Sequence, residues 1–433
     1  MNAETLRASL PPKLLKIAQD ICAAGGKSYL VGGWVRDALL ARESRDYDIE
    51  VYGLEQEPLL GILRKYGRPN LVGKSYGVIH LSSQGQDFDF SFPRLESKVG
   101  VGHRAFTVET RTDLDFYTAA LRRDFTINAM GMELPALTLL DPHGGLRDLE
   151  LRVLRHVGPA FVEDPLRVLR AVQFAARFEL TVHPETIALC RTLDLRELSK
   201  ERLFEEFRKW LLKAKRPSFG LRAFLQMDLT QFFPWLKPLP HMGWDGLAQF
   251  LDEAALVYAG NEIERLALMF AVLCAGCTAP DDVLAFLQYL TPEVALLRQV
   301  PAIWRESALL QDALLAGTAQ QAPWLRRLAL RVDLRQAFRF VQASLRARGD
   351  SLQAWQNAVH YAQTLGIWEF PPTPFLTGKM LMELGLQPGR FFGEWIAECF
   401  ELQLDGKCNS YEEALRWAKC KITDPSTFES VPS

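Results

Sequence analysis

The stretch KSYLVGGWVRDALL, residues 27–40, decides the fold prediction. Residues 29–31 are apolar and suit a short strand, which Gly32 and Gly33 end. Residues 35–40 then favour a helix. Three more strands are predicted from the same kind of pattern: 46–52, 77–82 and 87–92. This alternation up to about residue 150 indicates a mixed α/β domain.

The next strand, SRDYDIEVY at residues 44–52, has one apolar face and one acidic face. The apolar face carries Tyr47, Ile49 and Val51, and the acidic face carries Asp46, Asp48 and Glu50, because successive side chains alternate across a strand. Asp46 and Asp48 would stand side by side and repel each other. Either solvent screens them on an exposed strand or a divalent metal binds between them. The sequence leaves both interpretations open at this point.

A third carboxylate is available in QDFDFSF, residues 86–92. Asp87 and Asp89 share a face opposite the phenylalanines. In two-metal catalysis the ions lie roughly 3.5–4 Å apart, one activating the attacking oxygen and one stabilising the leaving oxygen. We predict Asp89 as the third ligand; the alternative is a solvated strand face.

The glycine pair has a possible phosphate role. Gly32 and Gly33 allow backbone N–H groups to approach a ligand closely, and the helix that follows directs its positive end there. Arg36, one turn into that helix, would present a guanidinium able to bind a phosphate in a bidentate way. A glycine turn alone is common. Combined with the Asp-x-Asp strand, it predicts binding of a nucleoside triphosphate with magnesium and transfer of its nucleotidyl group.

The bulk numbers limit the function classes. The chain has 433 residues, 48% hydrophobic and 24% charged, with a net charge of -2. That length predicts two to four domains. Any nucleic-acid surface must be local, because the whole molecule is not basic. Seven scattered cysteines favour free thiols in a reducing cytosol, and Cys274 and Cys277 favour a buried helix end over a zinc site. No secretory signal or membrane span is predicted.

The motifs together resemble the class II tRNA nucleotidyltransferases and bacterial poly(A) polymerases, within the polymerase-β-like superfamily. The resemblance begins with LVGGWVRDALL and RDYDIEVYG. LRRDFTINAMG, residues 121–131, is similar to the motif that contacts ribose and phosphate, which implies roles for Arg123 and Asp124 with Asn128 in support. EDPLRVLRAVQFAARF, residues 163–178, is similar to the base-reading motif. Its matching residues are Glu163, Asp164, Arg167 and Arg170. The resemblance covers about residues 28–220, and weaker matches follow at 376–389 and 404–419.

The base-reading motif also makes chemical sense by itself. Asp164 lies near a helix start that Pro165 favours, and Arg167 is three residues further along, so both side chains face one spot. A carboxylate accepts hydrogen bonds and a guanidinium only donates them. Cytosine and adenine present an amino donor beside acceptors and satisfy this pair. Uracil and guanine place a carbonyl against the carboxylate, so the pair rejects them. The structural alternative is an ion pair between Asp164 and Arg167.

Three neighbouring positions leave alternatives open. Glu163 either orients Arg167 or acts as a first-turn acid at the helix dipole. Arg170 could reach a phosphate or the ribose. Many relatives carry a further arginine at the position of Gln173, so the resemblance implies one phosphate contact fewer in this chain.

Other segments bear on tRNA binding. Residues 93–122 resemble the flexible loop associated with switching from C to A addition; His103 and Arg104 either touch substrate or are solvated. A basic cluster follows the base-reading helix: Lys200, Arg202, Arg208, Lys209, Lys213, Lys215 and Arg216. It either contacts the tRNA acceptor arm or forms a solvated face, since glutamates interleave. The resemblance implies that the tail, with Lys379, Arg390 and Lys407, holds the tRNA elbow.

The predicted fold class is therefore α+β, with a mixed α/β nucleotidyltransferase head and an all-helical neck, body and tail. The predicted domains are 1–150 (head), 151–220 (neck), 221–345 (body) and 346–433 (tail). The predicted function is cytoplasmic, Mg²⁺-dependent addition of C and A to tRNA 3′ ends from CTP and ATP, with no membrane association and no stable protein partner.

Three rival functions remain: an enzyme that adds only CC or only A, a poly(A) polymerase, and a tRNA-binding homologue without catalysis. Against a poly(A) polymerase, residues 70–81 lack the arginine-rich GRRF-type stretch. Intact Asp46, Asp48 and Arg123 argue against loss of catalysis. His241 and His360, the only histidines after residue 183, do not adjoin an aspartate, so no metal-dependent phosphohydrolase activity is predicted.

Overall fold

A computed structural model describes residues 3–72, 78–83, 85–98, 106–110, 114–258 and 260–423. The chain divides into two compact units. The first comprises the residues up to Trp210 together with Phe219–Phe232, and the second comprises Leu211–Ser218 and the chain from Phe233 onward. The predicted domain boundaries within these units stay predictions.

The first unit is built on a seven-stranded mixed sheet with the order β3-β4-β5-β2-β1-β8-β9. Two further sheets have two strands each, β6-β7 and β10-β11. The strands are β1 Lys27–Val31, β2 Tyr47–Tyr52, β3 Arg68–Val72, β4 Val78–Ser83, β5 Gln86–Ser91, β6 Arg94–Lys98, β7 Phe106–Thr110, β8 Gly131–Leu134, β9 Thr138–Leu140, β10 Val153–Leu154 and β11 Thr181–Val182.

The strand register places the acidic residues side by side. β2 pairs with β5 in parallel, and Asp48 lies directly opposite Asp89. β4 pairs with β5 on its other side in antiparallel fashion, and His80 lies opposite Asp89. The apolar faces are buried as predicted: Tyr47, Ile49, Val51, Phe88, Phe90 and Phe92. The sheet therefore buries one face and presents the carboxylates on the other.

Helices pack against this sheet, and further helices follow to the end of the described chain. Those that begin before residue 220 are α1 Ala3–Ser9, α2 Pro12–Ala23, α3 Gly33–Leu39, α4 Gln56–Leu63, α5 Phe116–Ala120, α6 Gly145–Glu150, α7 Leu166–Phe178, α8 Pro184–Cys190, α9 Lys200–Lys213 and α10 Ser218–Gln226. The predicted helix at 35–40 begins two residues earlier, because Gly33 already has helical geometry.

Helix α7 follows Asp164 and contains most of the predicted base-reading motif. Pro165 precedes its first turn, and the Asp164 carboxylate accepts a hydrogen bond from the Leu166 N–H at 3.1 Å, which caps one of the free N–H groups there. The helix ends at Phe178, and the next residue, Glu179, has a left-handed φ of 56°. Its apolar side packs on Phe125 through Phe174 at a ring distance of 5.6 Å.

The second unit is helical in every named element. Its helices are α11 Gly243–Leu256, α12 Glu262–Leu273, α13 Pro280–Leu290, α14 Val294–Leu315, α15 Ala322–Arg331, α16 Leu334–Arg348, α17 Gln353–Thr364, α18 Gly378–Glu383, α19 Arg390–Leu404 and α20 Tyr411–Thr423. Helices α11, α12, α14 and α16 pack against one another. A separate apolar cluster around Trp395 joins the last three helices. The α+β prediction is confirmed.

Cysteine placement agrees with the sequence prediction. All seven cysteines are free thiols. Cys274 directly follows α12, and both it and Cys277 are buried, as expected for a helix end in an apolar core. Within the described ranges, none of the helices has the length and apolar character to cross a bilayer.

Candidate active site

A cleft of about 560 Å³ in the first unit collects most of the predicted site residues. Eleven of them line it: Gly32, Gly33, Arg36, Asp46, Asp48, Arg123, Asp124, Asn128, Asp164, Arg167 and Arg170. Residues separated by more than a hundred positions along the chain are thus brought into one cavity. The lining does not include two other predicted residues, Asp89 and Glu163.

The glycine turn lies between two guanidinium groups. Gly32 has a φ of 68°, a left-handed conformation that glycine adopts without steric cost. A Cβ added there would lie 3.3 Å from Nη1 of Arg123, and a Cβ on Gly33 would lie 3.5 Å from Nη2 of Arg36. The backbone of the turn and two cations therefore converge on one wall of the cleft, an arrangement suited to an anionic ligand.

The carboxylates form a second wall. Asp46 directly precedes β2 and Asp48 lies on it, and both are exposed to the cleft. Burial by the surrounding protein, followed by repulsion from Asp89, raises the pKa of Asp48, although Arg123 opposes the effect. The ionised form of Asp48 is thus disfavoured in the metal-free protein. A bound cation would relieve this repulsion.

His80, on the neighbouring strand β4, contacts Asp89. His80 Nδ1 lies 2.8 Å from Oδ1 of Asp89, and His80 Nε2 lies 3.5 Å from Oδ1 of Asp87. Across the described ranges, no three His, Cys, Asp or Glu side chains converge on a preformed metal site. Two carboxylates still suffice for Mg²⁺, which commonly keeps several waters and takes its other ligands from substrate phosphates. The donor set of Asp46 and Asp48 therefore fits this ion, and the role of Asp89 stays a prediction.

Glu50, the third acid on the strand face, forms an ion pair with Arg123. Its Oε1 accepts from Nη2 of Arg123 at 2.6 Å, and its Oε2 accepts from the Tyr52 hydroxyl at 2.9 Å. Arg123 also donates to the backbone carbonyl of Asn128 at 3.4 Å. Glu50 therefore orients Arg123 beside Gly32, a positioning role that local sequence spacing did not indicate.

A buried hydrogen-bond chain connects the glycine turn with α7. Arg36 donates to Asp37 at 2.9 Å and to Oδ1 of Asn128 at 2.5 Å, and its guanidinium lies 4.2 Å from the centre of the Phe178 ring. Asn128 donates onward to Asp124 at 2.9 Å. Arg36 is therefore held by protein groups, and the predicted bidentate phosphate contact would require it to exchange partners.

Asp124 is the centre of that chain. It is buried, and its carboxylate accepts from Arg170 at 2.8 Å and from its neighbouring Phe125 N–H at 2.8 Å. Burial by itself would raise the pKa of Asp124, but Arg170 and the other donors outweigh it and the pKa is lowered. Asp124 therefore stays ionised and ties Arg170 to the core of the motif.

The two predicted base-reading side chains do not pair with each other. Asp164 binds Nη2 of Arg202 on α9 at 2.8 and 3.0 Å. Arg167 donates to the backbone carbonyls of Ala160 at 2.6 Å and Arg122 at 2.8 Å. The alternative of an Asp164–Arg167 ion pair is therefore not observed, and both side chains are held separately at the cleft.

Neither interpretation of Glu163 is supported by the observed contacts. It ends a short 3₁₀ segment, Pro159–Glu163, rather than opening α7. Asp164 accepts from the first turn of α7, and backbone carbonyls orient Arg167. The nucleotide-binding role predicted for Glu163 stays a prediction.

The cleft has further lining residues that the sequence did not assign to the nucleotide site: Asp37, Ser44, Arg122, Leu166, Phe174, Arg177 and Arg202, the last of which was predicted as part of the basic cluster. Arg177 was detectable, because it lies seven residues after Arg170 and so shares its helix face. It forms an ion pair with Asp37 at 3.6 Å. Gln173, in contrast, is buried. Arg177 therefore supplies a cation one turn beyond the position that Gln173 occupies.

Acidic side chains form ion pairs with several residues of the predicted basic cluster. In the first unit Arg208 contacts Glu205 at 3.2 Å and Lys209 contacts Glu206 at 3.0 Å. His103 and Arg104 in the predicted flexible loop, like residues 73–77 of the segment compared with poly(A) polymerases, lie outside the described residues.

Comparisons with known proteins agree with this geometry. Residues 28–155 match the family model of the poly A polymerase head domain. A multifunctional CCA protein of Xanthomonas campestris is 36% identical over 318 residues, which are 72% of this chain and 72% of that protein. One from Stenotrophomonas maltophilia is 41% identical over 268 residues, which are 60% of this chain and 62% of that protein.

The fold is also that of a solved structure. The Thermotoga maritima CCA-adding enzyme complexed with tRNA matches with a TM-score of 0.70 and 22% identity, covering 98% of this chain and 99% of that one. This confirms the α/β head followed by helical domains. The resemblance drawn from the sequence motifs is likewise confirmed, and the chain belongs to the family of the multifunctional CCA proteins.

Proposed function

We propose that the chain is a template-independent tRNA nucleotidyltransferase, which adds CMP and AMP from CTP and ATP to complete the CCA end of tRNA. The observation that carries the proposal is the composition of one cleft. It contains a carboxylate pair, a glycine turn flanked by arginines, and a carboxylate–guanidinium pair on α7. Its family membership supports the same activity.

Asp46 and Asp48 would hold the magnesium ions, with Asp89 available beside Asp48. Bound Mg²⁺ would neutralise the repelling carboxylates and polarise the reacting phosphate, as in two-metal nucleotidyl transfer. The pKa of Asp48 is raised first by burial and then by repulsion from Asp89, and a bound cation would relieve that repulsion, which supports this assignment.

The reaction joins the tRNA terminus to the nucleotide. The terminal 3′-hydroxyl oxygen attacks the α-phosphorus of CTP or ATP and releases its proton to solvent as the phosphodiester bond forms. The bond from the α-phosphorus to the oxygen that bridges to the β-phosphorus breaks, and pyrophosphate leaves. Gly33 and Arg123 bind the triphosphate and ribose, and Arg36 supports the turn through its contacts with Asp37 and Asn128. These groups supply positioning and charge stabilisation, the main terms in phosphoryl-group chemistry.

Asp164 and Arg167 select the base. Asp164 accepts from the exocyclic amino group of cytosine or adenine, and Arg167 donates to the neighbouring ring acceptor. Both side chains are already anchored, Asp164 by Arg202 and Arg167 by two backbone carbonyls. Anchoring before the ligand arrives lowers the entropic cost of recognition.

The tRNA would bind through its acceptor arm and elbow. Basic side chains in the neck region and tail supply the contacts, and the exposed tail cation Lys379 is weakly paired with Glu383 at 3.9 Å. Recognition of backbone and shape suits a double-stranded arm. We place the reaction in the cytoplasm, consistent with seven free thiols.

The decisive experiment uses three tRNA transcripts, ending before CCA, after C and after CC. Each is incubated with Mg²⁺ and CTP, ATP or both, and products are sized on a gel. Stepwise growth to CCA followed by a stop is the expected result. Growth by CC only, by A only or by an unlimited A ladder would instead assign a partial enzyme or a poly(A) polymerase.

The variant Asp46→Ala tests the metal assignment. It should abolish extension and leave tRNA binding, measured by filter retention, within about threefold of the parent, because binding uses surfaces other than the carboxylates. Asp20→Ala is the matched control, since Asp20 pairs with Lys65 outside the cleft. Extension by Asp46→Ala at the parent rate would show that the metal assignment is wrong.

A further inference from the structure

We propose that Arg202 on α9 is a positioning residue that sets nucleotide selectivity by holding the Asp164 carboxylate in its base-reading orientation. This inference rests on the proposed function, in which Asp164 reads the base. It also separates Arg202 from the other basic residues of α9, whose predicted role was tRNA contact.

One nitrogen of Arg202 contacts both carboxylate oxygens of Asp164. Nη2 of Arg202 lies 3.0 Å from Oδ1 and 2.8 Å from Oδ2 of Asp164. Both side chains line the cleft and are about one-third exposed, at 36% and 31%. A partly shielded pair of this kind holds its geometry better than a surface ion pair, which has many competing orientations in water.

The hydrogen bonds to Asp164 leave one acceptor position for a ligand. Each carboxylate oxygen accepts about two hydrogen bonds. Among the described residues, Oδ1 receives the N–H of Leu166 and Nη2 of Arg202, and Oδ2 receives Nη2 of Arg202 alone. One position on Oδ2 therefore remains, which matches the single exocyclic amino group of cytosine or adenine.

The fixed orientation of the Asp164 carboxylate causes the wrong bases to be rejected. A carboxylate that can rotate would turn away from the carbonyl of uracil or guanine and relieve the acceptor–acceptor repulsion. With Arg202 and the α7 N–H both holding it, Asp164 lacks that freedom, so a wrong base leaves two facing acceptors. Arg202 therefore contributes to the rejection of uracil and guanine as much as to the binding of cytosine and adenine.

Helix α9 also complements α7 at a second point. Glu206 lies one turn after Arg202, is buried, and acts electrostatically on Arg170 of α7. Thus α9 supplies a cation that contacts Asp164 and a negative charge that acts on Arg170. This pattern is expected of a helix that fixes the side chains of its neighbour.

The test measures kcat/KM for incorporating C and for misincorporating U on a transcript that lacks CCA. Arg202→Met should lower the ratio of kcat/KM for C to kcat/KM for U about ten- to hundredfold. This is the effect expected when a charge-assisted hydrogen bond is lost. Arg202→Lys should keep this ratio within about threefold of the parent, because a single ammonium nitrogen can donate to both oxygens of Asp164. Arg196→Met, which removes an exposed ion pair with Asp194, is the control and should leave the ratio unchanged.

A double-mutant cycle separates positioning from general damage. If Arg202 acts through Asp164, Arg202→Met should change the ratio little in an Asp164→Ala background. Thermal unfolding of each variant shows whether it folds; should Arg202→Met not fold, Arg202→Gln provides the same comparison. A folded variant with the parent's C-to-U ratio overturns the inference. A parent that incorporates neither C nor A overturns the proposed function instead.

Discussion

The substitution Asp48→Asn is expected to stabilise the metal-free protein while it removes activity. Asp48 lies opposite Asp89 on the neighbouring strand, and strands are about 4.8 Å apart. At that distance two charges in water repel by about 0.9 kcal/mol. Asp89 is 49% exposed, so the aqueous limit applies. Desolvation of Asp48 adds to this repulsion and Arg123 offsets part of it, leaving a net gain of about 1 kcal/mol for the neutral amide.

The assay is thermal unfolding in EDTA and in Mg²⁺. In EDTA the Asp48→Asn variant should unfold about 2–4 °C above the parent. Added Mg²⁺ should raise the transition of the parent and have little effect on the variant, since ligand binding to the native state stabilises it by mass action. A variant that unfolds below the parent in EDTA would refute the reasoning, because Asp48 would then be a stabilised anion.

The pH dependence gives an independent check. Because the folded-state pKa of Asp48 is raised, its unfavourable charge is fully present above that pKa and disappears as the pH falls to the unfolded value. The stability gap between Asp48→Asn and the parent in EDTA should therefore be widest at neutral pH and close under acid conditions. A gap independent of pH would assign the stabilisation to some cause other than the charge. Asp20→Asn is the matched control, because Asp20 is paired with Lys65.

Two further substitutions test the remaining site geometry. Gly32→Ala should cost about 1–2 kcal/mol of unfolding free energy and raise KM for CTP, because φ is 68° and the new methyl group would lie 3.3 Å from Nη1 of Arg123. Gly33→Ala is its control. The added methyl group would have its nearest contact at 3.5 Å, so this variant should unfold like the parent in the same denaturant titration. Asp124→Ala should cost about 3–5 kcal/mol by denaturant unfolding, because it leaves Arg170 without the Asp124 carboxylate. A loss below about 1 kcal/mol would contradict the central place of Asp124 in the buried hydrogen-bond chain.

Much of the fold and part of the site followed from local patterns. The period of two in Tyr47, Ile49 and Val51 predicted the buried face of β2 correctly, because alternation is a property of any strand. The start of α7 at Pro165 followed equally from local chemistry. Most predicted site residues line one cleft, and their individual roles remain to be tested by the variants above.

Two side-chain partners were beyond the reach of sequence spacing. The spacing of three placed Asp164 and Arg167 at one spot, but the guanidinium that binds Asp164 comes from 38 residues further along the chain. Arg36 lines the cleft and is also buried against Asp37 and Asn128, and its phosphate contact stays a prediction. Spacing along a helix determines which residues share a face, and it contains no information about what another helix places opposite that face.

The sequence by itself determined the strand–turn–helix start, the faces of β2 and β5, the helical character after residue 160 and the types of chemical group available. These follow from periodicity and from the chemistry of single side chains. Only the tertiary structure decided that Asp48 lies opposite Asp89, that Glu50 binds Arg123 across 73 positions, and that Arg202 holds Asp164. Strand register and helix packing set those pairs, because they bring together residues that the chain separates by distances over which local conformation carries no signal.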